Sequence, residues 1–411
     1  MTPPSLDAAD RPMTYRQVLA TRNVAQLLLS ASLSRLASEM LLFAVVLYVL
    51  AEFRSPVLAG LSGFFLTLPG FLVSPVAGAV LDRVGAVRAV ILDTVISALL
   101  IGLVVFASVG GGLTPVLLLT VLGLYSLTSP LSAGGIRTLF PRFVPRAAYD
   151  KANALDLSTY SVIDVVGPLV AGTLFALVGP DATLGIVAGM FAMAALSLLL
   201  LRGSGAEPER GERKHLLREA WEGITYLFGN RTLRGLAVSY SCYQVAFGIL
   251  VVAVPVTVAE RIGGTGPTEQ VAGLLWSVVG VCGAVGALVA GKVLRAGGER
   301  ALLIGATVLS AVAIFPVSAV ASLVMLAVGL AFVGLLEGAL NVSVLSLRQR
   351  RTEPRWLGRV MTVSISVNLI GFPIGTALGG LVVAQSTTAA FVAAAGFAVL
   401  AAAGGALVIP A

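Results

Sequence analysis

Stretches of about twenty apolar residues recur along this whole chain, each long enough to cross a hydrocarbon core of about 30 Å as a helix. Such a pattern leaves few folds open, because lipid offers no partner to a bare backbone N–H or C=O and helices satisfy those groups within themselves. Charge agrees with membrane residence. Only 11% of the 411 residues are Asp, Glu, Lys or Arg, against about 25% in a typical soluble domain. The expected fold class is therefore an all-α membrane protein.

The apolar runs place twelve spans, near 24–50, 56–81, 88–108, 114–137, 152–178 and 183–201, then 234–259, 269–294, 301–319, 322–347, 358–384 and 388–409. This divides the chain into an N-terminal segment (1–23), a six-helix bundle (24–202), a linker (203–233) and a second six-helix bundle (234–411). Within the linker, Leu216, Leu217, Ala220, Trp221, Ile224 and Leu227 recur at helical spacing among charged neighbours. That spacing predicts an amphipathic surface helix over 212–228.

A net charge of +7 can signal nucleic acid, but the basic residues are placed otherwise. Of 27, 24 fall in the N-terminal segment and the even-numbered loops, while the odd-numbered loops hold only Arg54 and Arg261. Positive residues accumulate on the cytoplasmic side, so both termini are expected there. The remaining one, Arg35, lies inside the first span. Cys242 and Cys282 sit in apolar stretches and read as packing residues. Residues 1–22 lack the apolar core of a cleaved signal peptide.

Two stretches repeat. Gly78-Ala-Val-Leu-Asp-Arg83-Val-Gly85 at the end of span two matches Gly291-Lys-Val-Leu-Arg-Ala-Gly-Gly298 at the end of span eight, 213 positions on. Gly167-Pro168 through Gly172 in span five matches Gly375 through Gly380 in span eleven, 208 positions on. Similar offsets at equivalent helices argue for two pseudo-symmetric halves, an arrangement that in transporters puts the site between the repeats near mid-membrane.

With these stretches in view, the chain resembles the major facilitator superfamily. Gly78, Asp82, Arg83, Gly85 and Arg88 match that family's G-x-x-x-D-R-x-G-x-x-R signature between spans two and three. Within the family it resembles the drug-exporter branch that includes macrolide and siderophore exporters, through Phe140–Pro145, Ala152–Leu155 and Leu357–Met361. The Gly167-Pro168 to Gly172 stretch is similar to part of the family's span-five antiporter motif. The resemblance implies a secondary transporter working by alternating access, usually as a monomer, in the bacterial inner membrane. It also implies that spans one, four, seven and ten line the cavity, and that Asp82 caps the start of span eleven as a gate. Span four lacks the mid-span arginine of many proton-coupled relatives, since Arg137 lies at its end.

An ionisable group at membrane depth is costly unless paired or hydrated. Four qualify: Arg35 and Glu39 in span one, Asp164 in span five and Glu337 in span ten. Arg35 and Glu39, four apart, are placed to pair. Glu337 has no basic neighbour in its helix. Hydrocarbon surroundings favour the neutral carboxyl, which makes Glu337 a proton carrier in prospect, with Asn341 one turn on as its hydrogen-bonding partner. Asp164 precedes Gly167-Pro168, where carbonyl groups lose a helical donor, and reads either as a second proton site or as a local partner of those carbonyls. Asp93 and Asp156 read as ion pairs with the basic loops. Tyr125, Tyr240, Tyr243, Gln244 and Trp276 are candidates for a sparsely polar, aromatic cavity lining.

These features favour proton-coupled efflux of a drug-like or amphipathic molecule. Uptake or exchange of a small metabolite, and movement of lysolipids, use the same fold and stay open. For a membrane enzyme there is little: the single histidine, His215, is in the linker, and there is no metal-ligand cluster or phosphate-cradling glycine loop. The expected partners are a small-molecule substrate and the bilayer, with no nucleic acid, no metal and no cofactor beyond the proton.

Overall fold

The computed structural model describes residues 14–21, 23–144, 149–200, 216–262, 267–294, 297–319, 322–353 and 356–410. A short helix, α1 (Tyr15–Ala20), precedes six long ones: α2 (Val24–Glu52), α3 (Pro56–Val84), α4 (Ala86–Val109), α5 (Pro115–Phe143), α6 (Tyr149–Val178) and α7 (Pro180–Leu199). Between the halves lies α8 (Leu216–Gly229). The second set is α9 (Arg231–Ile262), α10 (Thr268–Val293), α11 (Glu299–Ala319), α12 (Leu323–Arg350), α13 (Leu357–Leu369) with α14 (Gly371–Val383), and α15 (Thr387–Val408). Among the described residues, twelve segments are long and apolar enough to cross a membrane.

Local chemistry sets the turns. Ser55 caps α3 by accepting a hydrogen bond from the Leu58 N–H at 3.2 Å, and Pro56 follows at the first helical position, where its missing N–H costs nothing. Between α3 and α4, Gly85 takes φ = 88°, a left-handed conformation that a side chain would strain. Span eleven differs from the single run expected, because it is two helices that meet at Ile370. Pro373 explains the break: it cannot donate to the carbonyl of Leu369, and its ring crowds that turn.

In the first half α2 packs on α6 and α7, and α3 on α5; in the second half α9 packs on α14 and α15, and α10 on α12. The two halves meet along two seams, α3 with α14 and α6 with α10. Both seams are built on glycine. A Cβ on Gly380 would lie 3.0 Å from the Gly60 Cα, and one on Gly172 would lie 3.3 Å from the Gly273 Cα. Small residues of this kind let membrane helices approach to backbone contact. The contacts are related by the repeat itself: Gly172 and Gly380 are 208 apart, and Gly60 and Gly273 are 213 apart, the same offsets as the two repeated stretches. All four glycines lie toward the ends of the spans remote from the chain termini, so the halves are joined at that end.

α8 lies at the opposite end, against α3, α9 and α13. Its Tyr226 ring stacks on Trp356 with centroids 4.8 Å apart. Residues 203–215 of the expected linker lie outside the described residues.

Candidate functional site

The centre of the site is a contact between α2 and α6 that spacing alone makes plausible in hindsight. Arg35 and Glu39 are one turn apart on α2, and Asp156, Tyr160 and Asp164 are four apart along α6, so each set forms a stripe on one helix face. The stripes face each other. Arg35 donates to both carboxylate oxygens of Asp156, at 2.5 and 3.2 Å, and its guanidinium lies 4.6 Å from the centre of the Tyr160 ring. This bidentate pair corrects two expectations: Arg35 is not paired with Glu39, and Asp156 is not paired with a basic loop. Asp156 of the facing helix meets the planar guanidinium with both oxygens, and a bidentate pair of this kind is stronger than a single contact. The other aspartate expected to serve the loops, Asp93 on α4, accepts from the Ser132 hydroxyl of α5 instead.

With Arg35 taken, Glu39 has no ion pair or hydrogen bond among the described residues. It packs under Gly167 of α6, where a Cβ would come within 2.8 Å of its own Cβ. Part of the span-five motif thus makes room for Glu39. Asp164 is solvent-exposed, although it sits midway along α6, and it forms no hydrogen bond with the Gly167-Pro168 carbonyls among the described residues. Its charge acts on Glu39 and also on Glu337 of α12, in the other half. Three carboxyl groups from three helices therefore share one electrostatic neighbourhood across the interface.

On the opposite wall, Tyr240 of α9 donates to the Asn341 side chain at 2.6 Å. Asn341 is thereby turned away from Glu337, its expected partner, and is exposed. Two turns further along α12, Arg348 is buried and donates to Asn368 of α13 at 2.6 Å, and the Asn368 amide donates to the Ser364 carbonyl at 3.1 Å. The spacing of Arg348 and Asn368 was not read as a pair because they lie on different helices with a turn between them. Exposure of Asp164, Tyr160 and Asn341 at mid-span, with the halves joined at the remote end, defines a vestibule that opens toward the end bearing the termini.

Not every candidate lines it. Tyr125 is 5% exposed, donates to Ser38 at 3.1 Å and packs edge-on against Phe191, so it is part of the first bundle's core. Tyr243 is fully enclosed and faces away from the vestibule into the cluster of Leu303, Ala306 and Leu340. Gln244 and Trp276 are buried against Phe247, a residue missed in the sequence because aromatic side chains in spans are common. Of the signature between spans two and three, Arg83 and Arg88 are exposed, Gly85 makes the turn and Gly78 faces open space. The expected cap by Asp82 on span eleven concerns side chains outside the described residues. Cys242 and Cys282 are free thiols.

Two pseudo-symmetric six-span bundles around a mid-membrane vestibule are the architecture of a membrane transporter. The chain belongs to the Major Facilitator Superfamily, whose model matches residues 27–263 and 236–411. It is 44% identical to an uncharacterised MFS-type transporter, y4rN, of Sinorhizobium fredii, over 96% of each chain. It is 27% identical to the multidrug efflux pump Tap of Mycolicibacterium fortuitum, over 76% of this chain and 78% of that one. Among solved structures, the nucleoside transporter NupG superposes with a TM-score of 0.77 at 15% identity, over 95% of this chain and 99% of that one, a likeness of fold.

Proposed function

We propose that this transporter exports drug-like or amphipathic cations in exchange for protons, working by alternating access with both termini in the cytoplasm of a bacterial cell. The observation that carries this reading is that Asp164 acts electrostatically on both Glu39 and Glu337, neither of which has an ion pair among the described residues, while Arg35, a cation that acts on Asp164, is paired with Asp156. Carboxylates crowded at membrane depth repel one another, so occupation by protons and by a cation are natural alternatives to each other. That competition is the essence of antiport: a substrate arriving displaces a proton, and a proton returning displaces the substrate. The similarity to Tap supports efflux as the direction. Asp82, with Arg83 beside it, then serves as the gate at the cytoplasmic rim, holding the inner end closed in the alternate state through the start of span eleven.

The test is transport of ethidium, tetraphenylphosphonium and cationic antibiotics in proteoliposomes under an imposed ΔpH. Wild-type transport should require the gradient, and Glu39→Gln or Glu337→Gln should lose that requirement together with most of the flux. Movement that ignores the gradient and is equal in all three proteins would leave the carboxyl groups structural and the carrier uncoupled.

A further inference from the structure

Near mid-span in the second half, at the inner limit of the vestibule, three rings from three helices come together. Phe247 of α9 meets the Trp276 indole of α10 edge-to-face, with centroids 5.3 Å apart, and lies 6.5 Å from the ring of Phe372 in α14. Around these rings two buried polar atoms have no hydrogen-bond partner: the Gln244 Oε1, an acceptor, and the Trp276 Nε1, a donor. Both residues are more than nine-tenths buried, with exposures of 6% and 7%. Gln244 is one turn before Phe247 on α9, so its amide neighbours the Phe247 ring that meets the indole, and all three point to one region.

The direction of that space follows from the neighbours of Trp276. On α10, Gly273 and Ser277 face α6, where the Ser277 hydroxyl donates to the Val165 carbonyl at 2.6 Å. Val279 and Gly283 face α12. Trp276 points between these two faces, toward the axis between the halves and toward the carboxyl groups, not toward lipid. A buried donor or acceptor without a partner is costly, and such a group in a native protein calls for an explanation. Here one acceptor and one donor flank an aromatic wall.

We propose that this is a substrate subsite for a planar aromatic amide or lactam, whose N–H donates to the Gln244 Oε1 and whose carbonyl accepts from the Trp276 Nε1 while its ring packs among Phe247, Trp276 and Phe372. It rests on the reading of the vestibule as the substrate path, and it assigns the two ends of the substrate to two walls: a cationic group to the carboxyl cluster of the first half and Glu337, and an aromatic amide to the second half. The stacking geometry of the rings is open to a flat ligand on an edge, as aromatic surfaces prefer offset or edge contacts. A substrate that has the ring and lacks the amide would leave both polar atoms bare, and discrimination between such analogues is the signature of a site built to hydrogen-bond.

The test is equilibrium binding of tritiated 2-quinolinone, a bicyclic lactam, to the full-length protein in lipid nanodiscs, with empty nanodiscs as the partition control. The comparison ligand is 2-methoxyquinoline, which keeps the ring system and loses the N–H. The wild type should bind 2-quinolinone saturably, and 2-methoxyquinoline about tenfold more weakly or worse. In Gln244→Leu and in Trp276→Phe the affinity for 2-quinolinone should fall by about tenfold and approach that for the methoxy compound. The wild-type comparison stands even if a variant fails to fold. Equal affinities for the two ligands, discrimination that survives both substitutions, or no saturable binding would overturn the assignment. Failure of the proton-coupled reading looks different: tetraphenylphosphonium movement by the wild type would ignore ΔpH while the two ligands were still told apart.

Discussion

The two ends of the interface between the halves are made of different materials. At the end remote from the termini, Gly60 lies against Gly380 and Gly172 against Gly273, and helix backbones touch with no charge between them. Toward the other end the halves part around Arg35, Asp156, Glu39, Asp164 and Glu337, held or crowded at membrane depth. The difference teaches how one fold can hold two states of similar energy. A seam of small residues opens without stranding a buried charge, since what separates is backbone already hydrogen-bonded within its own helix. The charged centre lies at the inner edge of the seam, where Gly280 of α10 approaches Asp164 and Val165 of α6, so its occupation by proton or cation can bias which seam forms.

That contrast can be broken from either side. The largest expected effect comes from the charged centre. Arg35→Ala leaves Asp156 unpaired in a largely buried position, which should cost about 3 kcal/mol or more and lower the melting temperature in detergent. Replacing both residues by Met and Leu should recover most of the loss, because the cost lies in the orphaned charge. An Arg35→Ala variant that melts with the wild type would mean that the pair carries little stability.

Next comes the glycine seam. In Gly172→Leu the new side chain collides with the backbone of Glu269, and overpacking of this kind costs about 1–3 kcal/mol. Because only the state with this seam closed pays that cost, the equilibrium should shift about tenfold toward the other state. A cysteine at Thr376, buried on α14 against Gly63 of α3, would report it: in a background of Cys242→Ser and Cys282→Ser, its thiol should label about tenfold faster once Gly172 is Leu. Unchanged labelling would show that the two seams open independently.

The smallest effect should be that of Tyr240→Phe. It removes one hydrogen bond, to Asn341, in an exposed setting, and about 1 kcal/mol or less is expected in thermal stability. A change as large as that of Arg35→Ala would show that the bond to Asn341 holds α9 against α12.

How much of this could be read in advance depends on the range of the interaction. Spans follow from local composition, so Val24–Glu52 through Thr387–Val408 answer to the apolar runs within a few residues. The repeat offsets of 208 and 213 argue for duplication, and only once one glycine contact is known from the structure do they relate it to the other. The break at Ile370 was within reach through Pro373. Partnerships across helices were not. Arg35 and Asp156 lie 121 positions apart, and a pattern of four along one helix shows that Glu39 shares the face of Arg35 without showing which carboxylate fills the fork. Asn341 was assigned to Glu337 by the same within-helix rule and went to Tyr240 of a neighbouring helix. The spacing of Asp156, Tyr160 and Asp164 held the missing signal, as three polar residues on one face of a span need a polar stripe opposite. Packing roles were equally hidden: Tyr125 and Trp276 look alike in sequence, and only the neighbouring helices send one into the core and the other toward the axis.

The central claim is that a proton and a cation compete for Glu39, Asp164 and Glu337. Proton release on substrate binding tests it most directly, measured with a pH indicator as tetraphenylphosphonium is added to the purified protein in weakly buffered detergent solution. The wild type should release protons in step with binding, and Glu39→Gln with Glu337→Gln should bind with little or no release. Binding to the wild type with no proton released, or equal release from the double variant, would contradict the account.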